Sequence, residues 1–168
     1  MPHIPSPRGT THYTYIDSPL GALLLAQDAA GICQLTFEHH RHPRPIRPDW
    51  QRDDGAFADA HAELDEYFAG QRRRFNVPLS LHGTAFQQQV WNALLDVPYG
   101  KTITYAQLAD RIGRHGAYHP VGAAVGMNPV SIFVPCHRAL GSDGSLTGYA
   151  GGIERKVKLL KLEGALLA

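Results

Sequence analysis

The hydrophobic pattern changes period part-way along the chain, and that change limits the fold more than any other feature. Before residue 76 the apolar residues come in short runs cut by turn signals. "THYTYIDSP" alternates, "GALLLAQD" and "GICQLTFE" are brief apolar stretches, and "SPLG" and "DAAG" lie between them. Such runs predict hairpins in a small antiparallel sheet. "AFADAHAELDEYFAG" then places Phe57, Leu64, Tyr67 and Phe68 near one face of a helix, with Gly70 as its stop. The proline-broken stretch 39–55 predicts a surface loop, and "FNVPLSL" a further extended segment. From residue 84 the period becomes helical. Thr84 is placed to cap a helix carrying Phe86, Val90, Trp91, Leu94 and Leu95, closed by Pro98 and Gly100. "TYAQLADRIG" predicts a short helix from Thr104 to Gly113, and "HPVGAAVGMNP" another, rich in small residues. Two short helices across a tight turn fit a helix-turn-helix and equally an ordinary helical hairpin. "GGIERKVKLLKLEGALL" predicts an amphipathic helix with Ile153, Val157, Leu159 and Leu160 inward. The fold class is α+β. A small N-terminal antiparallel sheet with a helix (1–80) precedes a mostly helical domain (84–168), with the boundary within 76–84.

The length of 168 residues, 43% hydrophobic and 18% charged, suits one large or two small domains of a soluble protein. No apolar run approaches the ~18 residues of a membrane span, and "MPHIPSPRGTTHY" lacks a signal-peptide layout. The two cysteines, Cys33 and Cys136, form no disulfide framework, so free thiols in the cytoplasm are expected. Residues 1–83 carry 8 basic against 10 acidic side chains, residues 84–168 carry 8 against 5. An anionic partner should therefore meet the second half. The histidines of "HHRH", 39–42, are too slight a pattern to predict a metal, and none is expected.

"VPCHRALGSDGSLTGYAGG", residues 134–152, holds the feature with chemistry in it. A free thiol with a pKa of ~8.5 is only slightly ionised at neutral pH, so a nucleophilic cysteine needs a base or a positive environment. His137 adjoins Cys136, but neighbours in extended chain point apart. It can act on the thiol only if the backbone turns there or a water bridges them. On residue types alone, a cysteine beside a histidine is more often inert than reactive.

The longer pattern decides the matter. "NPVSIFVPCHRALGSDGSLTGYAGG", with "FQQQVWNALLDVPYGKTITYAQLADRIG" upstream and "ERKVKLLKLEGALL" downstream, closely resembles the O6-alkylguanine-DNA alkyltransferases across residues 84–164. The first half fits that family's variable, ribonuclease-H-like N-terminal domain. The resemblance implies irreversible, single-turnover transfer of an alkyl group from O6-alkylguanine, and from O4-alkylthymine, to Cys136. It implies that His137 takes the thiol proton through a water and that Glu163 orients His137. Tyr105 would donate to the departing guanine, and Asn128 would tie down the turn beside the site. Val125, Ala139, Tyr149 and Ala150 would form the pocket. The base must first be flipped out of the duplex, by a helix-turn-helix in the minor groove. That implies a DNA-facing set of Arg114, His119, Pro120, Val121, Gly122, Ala123 and Arg138. Double-stranded DNA is the implied partner of a monomer, with cooperative binding left open. No membrane, metal or other cofactor is implied.

One position departs from the pattern. His119 stands where the family usually has the arginine that fills the gap left by the flipped base, and Pro120 follows where alanine is common. Proline is tolerable there only in a helix's first turn. A non-repairing, alkyltransferase-like lesion binder is the alternative, although such relatives replace the cysteine that is retained here. A helix-turn-helix regulator or a cysteine hydrolase fits less well, because "HPVGAAVG" offers few base-reading side chains and the implied chemistry has no turnover.

Overall fold

The computed structural model describes residues 10–38 and 44–166. The "HHRH" tract and most of the N-terminal "MPHIPSPRGTTHY" segment lie outside the described residues. Strands β1 (His12–Ile16), β2 (Leu23–Gln27), β3 (Ile32–Phe37) and β4 (Gln51–Arg52) form one sheet in the order β3-β2-β1-β4. β1–β2 and β2–β3 are antiparallel, as the two turn signals predict, whereas β4 joins β1 in parallel. β4 interrupts the expected 39–55 loop. Both its residues are exposed, so no apolar signal marks it.

The sheet does not end at its own strands. Along β3, Ile32 N–H donates to Pro78 O at 2.9 Å and Ser80 N–H donates to Ile32 O at 2.8 Å. "FNVPLSL" is thereby extended against the sheet, paired in parallel at Leu79. Gly31 makes the approach possible, because a Cβ there would lie 2.4 Å from Pro78 O. Farther along β3, Leu35 N–H donates to Pro129 O and Ser131 N–H donates to Leu35 O, at 2.9 and 3.1 Å. The segment that leads to Cys136 is thus hydrogen-bonded to the N-terminal sheet.

Helix α1 (Ala58–Phe68), entered through a 3-10 turn at Asp54–Phe57, buries Leu64 and Tyr67 and stops before Gly70, whose φ is +75°. The second half contains α2 (Ala85–Leu95), the two-residue strand β5 (Ile103–Thr104), α3 (Tyr105–Arg111) and α4 (Tyr118–Gly126). A 3-10 turn at Cys136–Arg138 leads into β6 (Ala139–Leu140), which pairs in parallel with β5, and α5 (Ile153–Leu162) follows. Buried apolar residues from both halves belong to one hydrophobic cluster.

Two expected inward residues are exposed: Leu95 at 41% and Ile153 at 42%. On α5 the buried stripe is Lys156, Leu159 and Leu160, continued by Glu163 beyond the helix. Ile153 falls at the helix's first residue, before that stripe begins. No described helix is long and apolar enough to cross a membrane.

Thr84 and Thr104 close capping boxes on α2 and α3, each accepting from the backbone N–H of a glutamine that bonds back to the threonine N–H. Such a box satisfies two orphan donors at once. Thr84→Ala and Thr104→Ala are each expected to lower stability by about 1 kcal/mol, and Thr→Asp by less. Urea unfolding midpoints with an unchanged denaturant slope check this.

Candidate active site

The path to Cys136 is a buried, irregular segment with isolated bridges at Val130, Ser131 and Val134. From Val130 to Cys136 every side chain is buried. Asn128 holds its start: Nδ2 donates to Val134 O at 3.0 Å, and Oδ1 accepts from Val130 N–H at 2.9 Å. Between those anchors Ile132 adopts φ +73°, left-handed backbone that a β-branched residue rarely tolerates. The surrounding bonds over-determine the turn, the usual condition for such strain to persist. Beyond Pro135 the 3-10 turn at Cys136–Arg138 supplies the bend that a Cys–His neighbour pair needs.

Glu163, at the C-cap of α5, is the electrostatic centre. Its Oε2 accepts from Tyr67 Oη at 2.6 Å, from His137 Nε2 at 2.7 Å and from Arg138 Nη2 at 3.0 Å. Its Oε1 accepts from Arg138 Nε at 2.7 Å. Burial alone would raise this carboxyl, but the bonds and charges of His137 and Arg138 outweigh it and bring the pKa to about 2. Burial also lowers His137, against the opposing pull of Glu163, so its ring is neutral at physiological pH. A carboxylate only accepts, so His137 carries its proton on Nε2. Nδ1 is then a buried lone-pair acceptor with no hydrogen-bond partner among the described residues.

Cys136 is 5% exposed. Burial pushes it above the ordinary thiol range, opposed by Asn128, by the charge of Lys156, and by Ser131 and Tyr149. Lys156 is fully buried, donating from Nζ to Ala139 O at 2.5 Å and Thr147 O at 2.9 Å. Burial brings its pKa down to about 8, which leaves it mostly protonated at neutral pH.

The expected residues separate into groups. Cys136, His137, Glu163 and Asn128 converge as described. Tyr149 and Val125 are buried, Ala139 is buried with its carbonyl taken by Lys156, and Ala150 is half-buried. Tyr105 begins α3 with its ring against α4, where a Cβ on Gly122 would come within 3.1 Å of it. Arg114, His119, Pro120 and Ala123 are exposed, and Pro120 sits in the first turn of α4. Two members of the DNA-facing set do not face outward. Val121 is in the core with Ala124 and Val125, on the inward face of α4. Arg138 is buried, with Nη1 on Val97 O at 2.6 Å and the rest of its fork on Glu163, so no donor is directed at a phosphate.

Three contributors escaped sequence reading: Tyr67, Ser131 and Lys156. Lys156 had a signal, because 156, 159, 160 and 163 follow one helical stripe and a lysine within it must be buried. Tyr67 had none, since its partner lies 96 positions away.

Comparison with known proteins identifies the family. The model of the 6-O-methylguanine DNA methyltransferase DNA-binding domain matches residues 85–165, and that of the family's ribonuclease-like domain matches residues 11–81. The methylated-DNA–protein-cysteine methyltransferase of Mycobacterium tuberculosis H37Rv is 50% identical over 152 residues, covering 90% of this chain and 92% of the relative. That of Methanosarcina acetivorans is 43% identical, covering 92% and 99%. The crystal structure of M. tuberculosis O6-methylguanine methyltransferase superposes with a TM-score of 0.86 at 49% identity, covering 93% of this chain and 94% of that one. The same mycobacterial protein solved in complex with DNA also gives 0.86 at 49% identity, covering 92% and 93%. Two family models spanning both halves, with relatives matched over nearly their full length, show that this chain belongs to the O6-alkylguanine-DNA alkyltransferase family.

Proposed function

We propose that this chain repairs DNA by moving the alkyl group of O6-alkylguanine, and of O4-alkylthymine, onto Cys136 in a single irreversible event. The observation that carries this reading is a buried cysteine in a tight turn beside a neutral histidine. The free Nδ1 of that histidine is an acceptor, and its Nε2–H is held by an ionised glutamate. That is a nucleophile, a base and an orienter. The thiol proton passes to His137 Nδ1 through a bridging water, and Glu163 stabilises the imidazolium that forms. Sulfur attacks the alkyl carbon, the carbon–oxygen bond breaks, and its electron pair goes to guanine, which takes a proton from Tyr105. The proton gained by His137 restores the tyrosine through solvent. The products are guanine and an S-alkylcysteine, so atoms and charge balance, and the thioether has no leaving step.

DNA reaches the site from the exposed face of α3 and α4. Arg114, His119, Pro120 and Ala123 lie on that face, and α4 carries little bulk for an approach to the minor groove. Base flipping costs a few kcal/mol, which a side chain placed in the vacated stack offsets. His119, exposed in the first turn of α4, takes that role in this reading, and its ring lies 4.6 Å from that of Tyr118. The protein acts as a monomer.

Mass spectrometry after incubation with excess O6-methylguanine duplex is expected to show one methyl group, on Cys136, with Cys136→Ala unmodified. Multiple turnover or modification at Cys33 would overturn the reading. His137→Phe is expected to slow transfer by about 100-fold or more, the usual worth of a general base.

Glu163 also sets an acid limit. Its folded pKa, about 2, lies below the ordinary 4.5, so its stabilisation is complete above about 4.5 and is lost as pH falls toward 2. Glu163→Gln should be less stable at neutral pH and lose less stability on acidification over that window, by urea unfolding at stepped pH.

His119→Arg adds a cation and a longer planar group. It is expected to speed repair of duplex DNA and steepen its salt dependence, with no gain on the free base O6-benzylguanine, which needs no flipping. Equal duplex rates for wild type, His119→Arg and His119→Ala would show that another side chain fills the stack.

A further inference from the structure

The N-terminal sheet supplies none of the proposed reacting groups, yet its edge lies directly behind the pocket wall. Arg155, in the first turn of α5, joins three separate segments through backbone carbonyls. Nε donates to Leu20 O at 3.0 Å in the β1–β2 connection. Nη1 donates to Glu38 O at 2.8 Å just beyond β3, and to Gly151 O at 3.1 Å beside Tyr149. The guanidinium also lies over the Phe37 ring, 4.9 Å from its centroid.

Phe37 is the last residue of β3 and packs against Tyr149, ring centroids 6.1 Å apart. Gly151 closes this contact, since a Cβ there would come within 2.6 Å of Phe37 and 2.8 Å of Tyr149. Tyr149 is 5% exposed, with its hydroxyl beside Ser131 and Cys136. Packing on Phe37 and the tether at Gly151 O hold the ring from the sheet side.

From this juxtaposition we infer that Arg155 is a positioning residue that clamps the Tyr149 pocket wall to the N-terminal sheet, so that access to Cys136 and the size of alkyl group accepted are set from β3. The inference rests on the reading of Cys136 as acceptor and gives the N-terminal half a part in substrate selection. An arginine suits this task because its rigid fork of donors spans several carbonyls, where an ammonium would serve fewer. Carbonyl acceptors also make the clamp a matter of geometry and not of ion pairing.

The test compares Arg155→Met, which keeps the apolar stem and removes the donors, with Arg155→Lys, wild type and Thr84→Ala. Thr84→Ala is a control whose stability loss arises away from the wall. Labelling of Cys136 by iodoacetamide in native buffer, read by intact mass, reports opening of the wall. Arg155→Met is expected to label about fivefold faster than wild type, and faster than Thr84→Ala, as local opening requires. Its rate ratio for free O6-benzylguanine against O6-methylguanine should rise about tenfold, because a looser wall admits the larger group. Arg155→Lys should fall between it and wild type in both readouts. If Arg155→Met merely lowers the urea midpoint, with labelling and rate ratio at the values of wild type or Thr84→Ala, the clamp is structural only and the proposal fails. Failure of wild type to take alkyl onto Cys136 would sink the acceptor reading instead, leaving the labelling comparison to decide whether Arg155 holds the wall.

Discussion

A single buried carboxylate organises this molecule. Glu163 accepts four hydrogen bonds, from α1 through Tyr67 and from the turn at Cys136–Arg138 through His137 and Arg138. It does so from the end of α5. A carboxylate removed from water costs several kcal/mol unless its lone pairs are met, and each bond to a charged group is worth about twice a neutral one. The three elements must therefore arrive together. Arg138 balances the charge, Tyr67 fills a lone pair, and His137 is left with one fixed tautomer. The neutral ring with Nδ1 left as its acceptor follows from the need to satisfy the glutamate.

The division into halves that the sequence pattern suggests describes composition better than cohesion. β3 receives Pro78–Ser80 along one stretch and Pro129–Ser131 along the next, and Arg155 reaches back across to Glu38. The segment bearing Cys136 is consequently anchored on both sides: to the sheet through Ser131, and to the helical half through the Asn128 N–H on Val125 O of α4 and the β5–β6 pair. The strained φ of Ile132 lies between these anchors, where the backbone changes direction to present the cysteine.

What the sequence disclosed follows the range of the interaction involved. Thr84, Thr104 and Gly70 act within a turn or two of themselves, and each delimits the element it was expected to delimit. The α5 stripe was half legible. Period arithmetic put Leu159 and Leu160 inward, but hydrophobicity favoured Ile153 over Lys156, and geometry chose the lysine because its ammonium finds two carbonyls. Arg138 and Val121 were misplaced for opposite reasons. A guanidinium in a loop looks like a phosphate ligand until a buried carboxylate claims it, and a small apolar residue on a short helix looks free until its face is known. The helical period put Tyr67 on the buried face of α1, but β4 and the Tyr67–Glu163 bond depend on partners far away in the chain, and no local pattern could have shown them.

The charge arrangement around the thiol suits a site used once. Glu163 and Arg138 offset one another, so Lys156 is the buried cation left over, held by two neutral carbonyls. With Cys136 protonated, burial works against both groups, raising the thiol and lowering the lysine. Ionising the thiol relieves this, because the thiolate and the ammonium then compensate each other in a low-dielectric interior where that attraction is strong. The resting site is thus closed and weakly nucleophilic. In the proposed reaction the thiolate forms as a proton is drawn toward His137, its charge then favoured by Lys156, and alkylation would remove the anion again. A catalyst that turned over would have to restore that pair after every cycle. An acceptor consumed in its first reaction carries no such requirement, and its lysine can be placed wholly for the one event.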